Sequence, residues 1–335
     1  MASTSLDSER KPRRVCVFLM QLGGPETLAD IEPFLVNLLE DVLPAPDWLR
    51  PRLARFIAKR RTPKVTPIYR RLGGGSPLCD NTEAQAAALQ ARLVASGVEA
   101  EVLVAMRYAP PRVAEALAHA RLTSSEATWV ALPLYPQYSC ATSKSSLDEL
   151  GRELTIPEAT RLVTVSAYPT DSGYVAAQAE CVEEGLARFG AGRADVQVVF
   201  SAHSLPMALV RGGDPYPSHV EQTVAAVLSR LERPPPHHLA FQSRVGPARW
   251  LGPSTIETVK KLGNDGVKRL LVVPLSFVSD HIETLYELDV ELKAVAHRAG
   301  VARFERAPVV GVRPAFIDAL AGIVIHALPR DSVPA

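Results

Sequence analysis

The sequence predicts an α/β fold built from two similar domains, each a parallel sheet flanked by helices. Three observations carry this. Short β-branched apolar runs alternate with longer amphipathic stretches, the pattern of repeated βαβ units. The runs are almost continuously apolar, which suits strands covered on both faces. The series of elements also divides near residue 168 and starts afresh, within a length of 335 residues that suits about two domains.

The elements follow in order. The polar stretch 1–14 carries both signs, lacks the apolar core of a secretory signal, and reads as a short disordered arm. Strands are expected at 15–22 (VCVFLMQL), 101–106 (EVLVAM), 128–134 (TWVALPL) and 161–167 (RLVTVSA). Helical patterns lie between them at 28–39, after Gly23-Gly24-Pro25, and at 83–95, rich in Ala, Leu and Gln. Beyond 168, strands are expected at 196–202 (VQVVFSA), 239–242 (LAFQ) and 270–275 (LLVVPL). Helices are expected at 173–188, 217–231, 254–262, 281–298 and 316–327. A ligand would sit in the interdomain cleft, near the C-terminal ends of strands.

Composition removes several function classes. Lys and Arg number 37 against 36 Asp and Glu, which argues against a protein whose main job is holding nucleic acid through a basic field. Cys16, Cys79, Cys140 and Cys181 form no CxxC pair, which argues against a zinc ribbon or disulfide framework and for a reduced compartment. No apolar run reaches the roughly 18 residues of a membrane span.

One segment departs from the βα pattern. Residues 34–64, FLVNLLEDVLPAPDWLRPRLARFIAKRRTPK, mix Leu, Trp, Phe and Ile with Lys59, Arg60 and Arg61. That suits either a helix in a membrane interface or an ordinary amphipathic helix with a solvated basic end.

Two stretches carry chemistry. In FSAHSLP at 200–206, His203 follows a buried strand, where it can exchange a proton, bind a metal, or simply hydrogen-bond backbone. In SDHIETLYELD at 279–289, Glu283, Glu287 and Glu291 form one column on an α-helix, with Asp280 continuing it by a turn beside His281. Such a column could relay protons or conduct a divalent cation, or be a solvated acidic face. Gly23-Gly24-Pro25 and GGGSP at 73–77 match no phosphate-binding loop and read as tight turns. Arg70 and Arg107-Tyr108 could clamp carboxylates. His237-His238 follows three prolines and reads as a surface loop.

Taken together, these stretches resemble the ferrochelatases, enzymes that insert ferrous iron into a porphyrin. The resemblance rests on QLGGPET at 21–27, FIAKRRTPK at 56–64, YRRLGGGSP at 69–77, YPQYSCATSKSSL at 135–147, FSAHSLPM at 200–207, QSRVGPARWLGP at 242–253 and SDHIETLYELDVE at 279–291. RGGDPYP at 211–217 resembles a shorter family form with one Gly fewer. The motifs run from residue 16 to about 328 in the family's order.

The resemblance implies two Rossmann-like domains with four-stranded parallel sheets. They would span 12–168 and 169–313, with a C-terminal helix at 314–330 returning to the first. It implies a lyase that releases two pyrrole protons from protoporphyrin IX as Fe²⁺ enters, at the terminal step of haem biosynthesis. A coproporphyrin III ferrochelatase or a related metal chelatase is the enzymatic alternative, and a carrier that only binds porphyrin is the non-enzymatic one. His203 and Glu283 are implied as catalytic and metal-contacting, and Asp280, His281 and Glu287 as a proton or metal relay. Leu22, Arg70, Arg107, Tyr108, Tyr135, Ser139, Trp250 and Phe277 are implied as porphyrin contacts. The 34–64 segment becomes an apolar lip facing a membrane, which places the protein in the cytoplasm, peripheral on the inner face of the cytoplasmic membrane. The oxidase that produces the porphyrin is a further expected partner.

Departures from the family pattern matter too. Cys140 matches one ligand of the [2Fe–2S] cluster of animal enzymes, but no cysteine follows Cys181, so neither a cluster nor another resident cofactor is expected and Fe²⁺ is a substrate. Leu22 stands where the family often has Met. Asp171 and Ser172 stand where animal enzymes have two histidines.

Overall fold

The structure, a computed structural model, describes residues 14–329 apart from Val245 and Pro247. The arm expected at 1–14 lies outside the described residues except for Arg14, which opens the first strand, and so does residue 330 at the end of the chain's last expected helix.

The first half runs β1 (Arg14–Gln21), α1 (Ile31–Val42), α2 (Arg50–Arg71), α3 (Leu78–Ala95), β2 (Glu99–Met106), α4 (Val113–Thr123), β3 (Thr128–Pro133), α5 (Ser145–Glu153), α6 (Ile156–Ala159) and β4 (Leu162–Thr164). The second runs α7 (Ser172–Ala187), β5 (Val196–His203), α8 (Met207–Arg211), α9 (Tyr216–Arg230), β6 (His237–Gln242), α10 (Thr255–Asn264), β7 (Arg269–Pro274), a π-helix (Glu283–Leu292), α11 (Lys293–Arg298), β8 (Arg303–Arg306) and α12 (Pro314–Ala327).

Each half folds into a four-stranded, all-parallel sheet. The orders are β2-β1-β3-β4 and β6-β5-β7-β8, the same arrangement twice. The central strands explain why they read so clearly in sequence. From Val15 to Gln21 every β1 residue is buried, because helices cover both faces. The chain ends by stitching the halves together: α12 packs on α7 of the second half and on α3 and β3 of the first. Gly173 makes this contact close, since a Cβ there would lie 2.8 Å from Ala319 Cβ. One continuous core results, with Leu19, Leu89, Tyr174, Phe200, Phe316 and Leu320 all buried in it. Each such side chain contributes about 1.5–3 kcal/mol of hydrophobic stabilisation.

Several expectations need correction. The eighth strand, β8, which the four-stranded sheets of the resemblance imply, is missing from the strand pattern: RFER is short, charged at three of its four residues and at a sheet edge, so it lacks the buried-strand signature. His237 and His238 open β6 instead of lying in a loop. The 34–64 segment is two packed helices, and α2 continues through Pro63 and Pro67. A proline inside a helix costs about 3 kcal/mol, so the sequence alone argues for a stop there. Helices α4 and α5 were also missed. The helix expected over 281–298 is a π-helix for most of its length, followed by α11.

Candidate active site

Parallel strands bring their C-terminal ends to one edge of a sheet. His203 ends β5 and pairs in register with Gln242, the last residue of β6; Ser243 follows directly, and Phe277 lies just beyond β7. In the first sheet, Leu22 follows β1, Arg107-Tyr108 follows β2 and Tyr135 follows β3. His203, Leu22, Arg107, Tyr108, Tyr135 and Phe277, all expected from the sequence, thus sit at strand ends.

His203 and Glu283 meet there, with Nδ1 2.8 Å from Oε2. Burial pushes the His203 pKa down, but the charge and hydrogen bond of Glu283, with Glu287 behind it, raise it above 6.5. Burial pushes Glu283 up, but His203, His281 and the Ser243 hydroxyl outweigh it and hold the carboxyl at about 2. A carboxylate can only accept, so Nδ1 of His203 carries the proton toward Glu283 and Nε2 is the nitrogen left to exchange one. The backbone at His203 is tied as well: its N–H donates to Ser276 Oγ at 3.4 Å, and that hydroxyl lies 2.6 Å from Tyr216 Oη. Phe277 stands edge-on to His203, ring centroids 6.3 Å apart.

Ser243 joins the second acid to this pair. Its Oγ lies 2.9 Å from Glu283 Oε2 and 2.6 Å from Glu287 Oε2. A hydroxyl has one proton to donate, so both contacts are satisfied only when one carboxyl is protonated. Glu287 is that group: burial and the Glu283 charge push it up to about 7. Ser243 holds φ +65°, a left-handed backbone that a non-glycine residue adopts at a cost.

The acid column expected from 280 to 291 does not run straight. Asp280 is turned away to Arg306, with Nη1 at 3.0 Å from its Oδ1, and Arg306 also holds Asp289 at 2.8 Å. Glu291 is exposed. The wider π turn is the reason, since an α-helical column does not persist through i→i+5 winding. His281 is buried, its pKa lowered by that burial, with Nδ1 3.2 Å from the Ser279 carbonyl and its ring 4.7 Å from Phe277.

The other expected residues have the following places. Leu22 packs in an apolar cluster with Phe34, Tyr69, Tyr108 and Ile282. That cluster brings the lip helices onto the start of the π-helix, and Glu283 lies close enough to Tyr69 to raise the phenol's pKa further, after burial. Arg70 is exposed in the last turn of α2. Arg107 and Tyr108 are engaged by carboxylates of the protein itself, Arg107 by Asp41 and Glu149 and Tyr108 by Asp41. Ser139 is buried and donates to Asp214 at 2.9 Å, a tie between the two halves. Tyr135 Oη and Trp250 Nε1 are buried with no hydrogen-bond partner among the described residues. Trp250 is bridged to Pro206, three residues past His203. Asp171 caps α7, accepting from the N–H groups of Gly173 and Tyr174.

The two glycine-rich turns touch: Ser76 N–H donates to Pro25 O at 2.7 Å, and a Cβ on Gly75 would lie 1.9 Å from Glu26 O. The cysteines occupy β1, α3, the turn before α5, and α7, and only Cys140 is exposed.

Sequence reasoning missed Ser243, Tyr69, Tyr216 and Asp41. The first three lie in or beside the stretches that carried the resemblance, but nothing local distinguishes them from their neighbours.

Known proteins are similar along nearly the whole chain. The ferrochelatase family model matches residues 14–328. A ferrochelatase of Geobacter metallireducens is 48% identical over 315 residues, covering 93% of this chain and 98% of that protein. One of Geotalea uraniireducens is 46% identical over 317 residues with the same coverage. One of Nostoc punctiforme is 44% identical over 326 residues, covering 95% of this chain and 84% of that protein. Among solved structures, SirB of Bacillus subtilis with Fe³⁺ superposes with a TM-score of 0.55 at 13% identity, over 95% of this chain and 97% of that one, a likeness of fold. With that fold, the paired His203 and Glu283 at a strand end, and this identity over its length, the chain belongs to the ferrochelatase family.

Proposed function

We propose that the chain inserts Fe²⁺ into protoporphyrin IX, releasing two pyrrole protons and forming protohaem. The observation that carries this is the His203–Glu283 pair. Two ring N–H bonds must break as Fe–N bonds form, so the site needs a base that can be emptied and refilled. With Nδ1 donating to Glu283, Nε2 of His203 is the nitrogen that takes a pyrrole proton, and Glu283 supports the imidazolium. The path onward runs from Glu283 through the Ser243 hydroxyl to Glu287. Asp280, tied to Arg306, is off it.

A flat macrocycle shields its nitrogen lone pairs, so binding energy at the rim is used to bend it. Leu22, Tyr135, Trp250 and Phe277 supply apolar and aromatic surface around the strand ends. Arg70, exposed at the end of α2, is the cation offered to a propionate. The same His203 and Glu283 are also a nitrogen-and-carboxylate donor set that suits the incoming Fe²⁺.

The lip supports binding at a membrane surface. Trp48 and Phe56 are 74% and 56% exposed, beside exposed Arg52, Arg55, Lys59 and Arg60. No helix among the described residues is long and apolar enough to cross a membrane. An inner-face location in the cytoplasm and delivery of substrate by the porphyrin-producing oxidase follow from this reading. Trp48→Ser with Phe56→Ser should weaken co-sedimentation with anionic vesicles and leave insertion into detergent-solubilised porphyrin intact.

The test is anaerobic insertion with Fe²⁺ and either protoporphyrin IX or coproporphyrin III, wild type beside His203→Ala. Turnover with protoporphyrin that falls about 10²-fold or more in the variant supports the reading. Preference for coproporphyrin changes the substrate and keeps the chemistry. Porphyrin binding without insertion by the wild type makes the protein a carrier.

A further inference from the structure

We infer that Asp41 and Asn37 clip the lip helix α1 onto the end of β2, so that Arg107 and Tyr108 set the position of the pocket mouth instead of reading the substrate's carboxylates. The mechanical part stands on geometry alone, and its meaning for substrate rests on the porphyrin-insertion reading.

Arg107 has no edge left to offer. Its Nη2 lies 3.0 Å from Asp41 Oδ1, its Nη1 pairs with Glu149, and its Nε donates to Ser145 Oγ at 3.0 Å. The side chain is 11% exposed, so a propionate arriving here would have to displace a protein carboxylate. Arg107 joins three segments: α1 through Asp41, α5 through Ser145 and Glu149, and its own strand end.

Tyr108 is gripped twice from the same helix. Its Oη donates to Asp41 Oδ2 at 2.5 Å, and its carbonyl accepts from Asn37 Nδ2 at 3.0 Å. Asn37 and Asp41 are one turn apart and share a face of α1. Ser145 Oγ adds a third donor to Asp41, at 2.7 Å. Tyr108 N–H donates in turn to Leu22 O at 3.0 Å, which carries the clip to the end of β1.

The charge on Asp41 is placed against local preference. It sits in the last turn of α1, where the helix dipole disfavours an anion. Burial also pushes its pKa up, yet the Tyr108 and Ser145 hydrogen bonds and the Arg107 charge hold it below the ordinary value. The carboxylate is therefore supported from outside its helix, as a latch requires.

The experiment uses the full chain without ligand. Hydrogen–deuterium exchange is followed in wild type, Asp41→Asn, Asn37→Ala and Arg107→Gln, and KM and kcat are then measured with Fe²⁺ and protoporphyrin IX. The latch predicts about tenfold faster exchange in α1 for all three variants, with β1 and β5 unchanged. It predicts a porphyrin KM raised about fivefold with kcat nearly constant. Unchanged α1 exchange in Asp41→Asn and Asn37→Ala overturns it. So does an Arg107→Gln variant with raised KM and unchanged α1 exchange, the signature of an arginine that reads the substrate. If Asp41→Asn does not fold, Asn37→Ala decides by the same measurement. If the wild type inserts no metal, the exchange data still decide the latch, and the proposed reaction falls separately.

Discussion

His203 and Glu283 are 80 residues apart in the chain, yet Nδ1 of one lies 2.8 Å from Oε2 of the other. Glu283 opens the π-helix and His203 closes β5, so two different elements must be correctly seated for the pair to exist. The burial of each would by itself favour its neutral form. Their mutual attraction reverses both, so Glu283 favours its carboxylate and stabilises a proton taken up by His203.

The first prediction concerns this reversal. In Glu283→Gln the attraction is gone and burial acts on His203 with less opposition, so its pKa should fall from above 6.5 to below it, read from imidazole nitrogen shifts. The raised His203 pKa stabilises the fold at low pH, an effect lost as pH rises through its folded value. The depressed Glu283 pKa stabilises above 4.5, an effect lost as pH falls toward about 2. Both contribute between 4.5 and 6.5, where the variant should lose roughly 1–3 kcal/mol, discounted for the partial exposure of His203.

Glu287 should behave in the opposite way. Its carboxyl is raised from 4.5 to about 7, so wild-type stability falls as pH rises across that range, because ionisation in the folded state is disfavoured. Glu287→Gln removes this dependence. The Tm of the variant relative to wild type should therefore rise between pH 5 and pH 8. A constant difference would show that Glu287 is ionised throughout.

At Ser243, two substitutions separate the hydroxyl from the backbone. Gly accepts φ +65° freely, whereas Ala does not. Ser243→Ala should be less stable than Ser243→Gly by about 1 kcal/mol in denaturant unfolding. Both lose the bridge between Glu283 and Glu287 and should lose insertion rate by the same factor. A rate that tracks stability instead would assign Ser243 a purely structural role.

Gly75 tests the contact between the two glycine-rich turns. A Cβ there would lie 1.9 Å from the Glu26 carbonyl oxygen, which is backbone and cannot swing aside. Gly75→Ala should cost more than about 2 kcal/mol by thermal unfolding. A neutral outcome would mean that the turns separate easily.

Much of this was legible in the chain. Runs such as VCVFLMQ and LLVVP read as strands because a parallel sheet buries both faces. His203 was a candidate because it follows one of them. What escaped had weak or contradictory local signals. RFER is an edge strand with charge at three of its four residues, and α2 runs through two prolines that would end most helices. Ser243 is one serine among many until its backbone angle and its two acidic neighbours are seen.

The acids of the 279–291 stretch show where the division lies. Which segments could be buried, where strands end, and the nearness of His203 and a row of carboxyls to those ends are all readable along the chain. Those properties are local, set by side-chain volume and polarity along the chain. Packing of separate elements sets Glu283 against His203, lets Glu287 share its serine, and turns Asp280 to Arg306. It also sets Arg107 against Asp41. The reason is physical: a carboxylate's role depends on the charge a few ångströms away, and that charge is supplied by another element whose position follows from winding and packing.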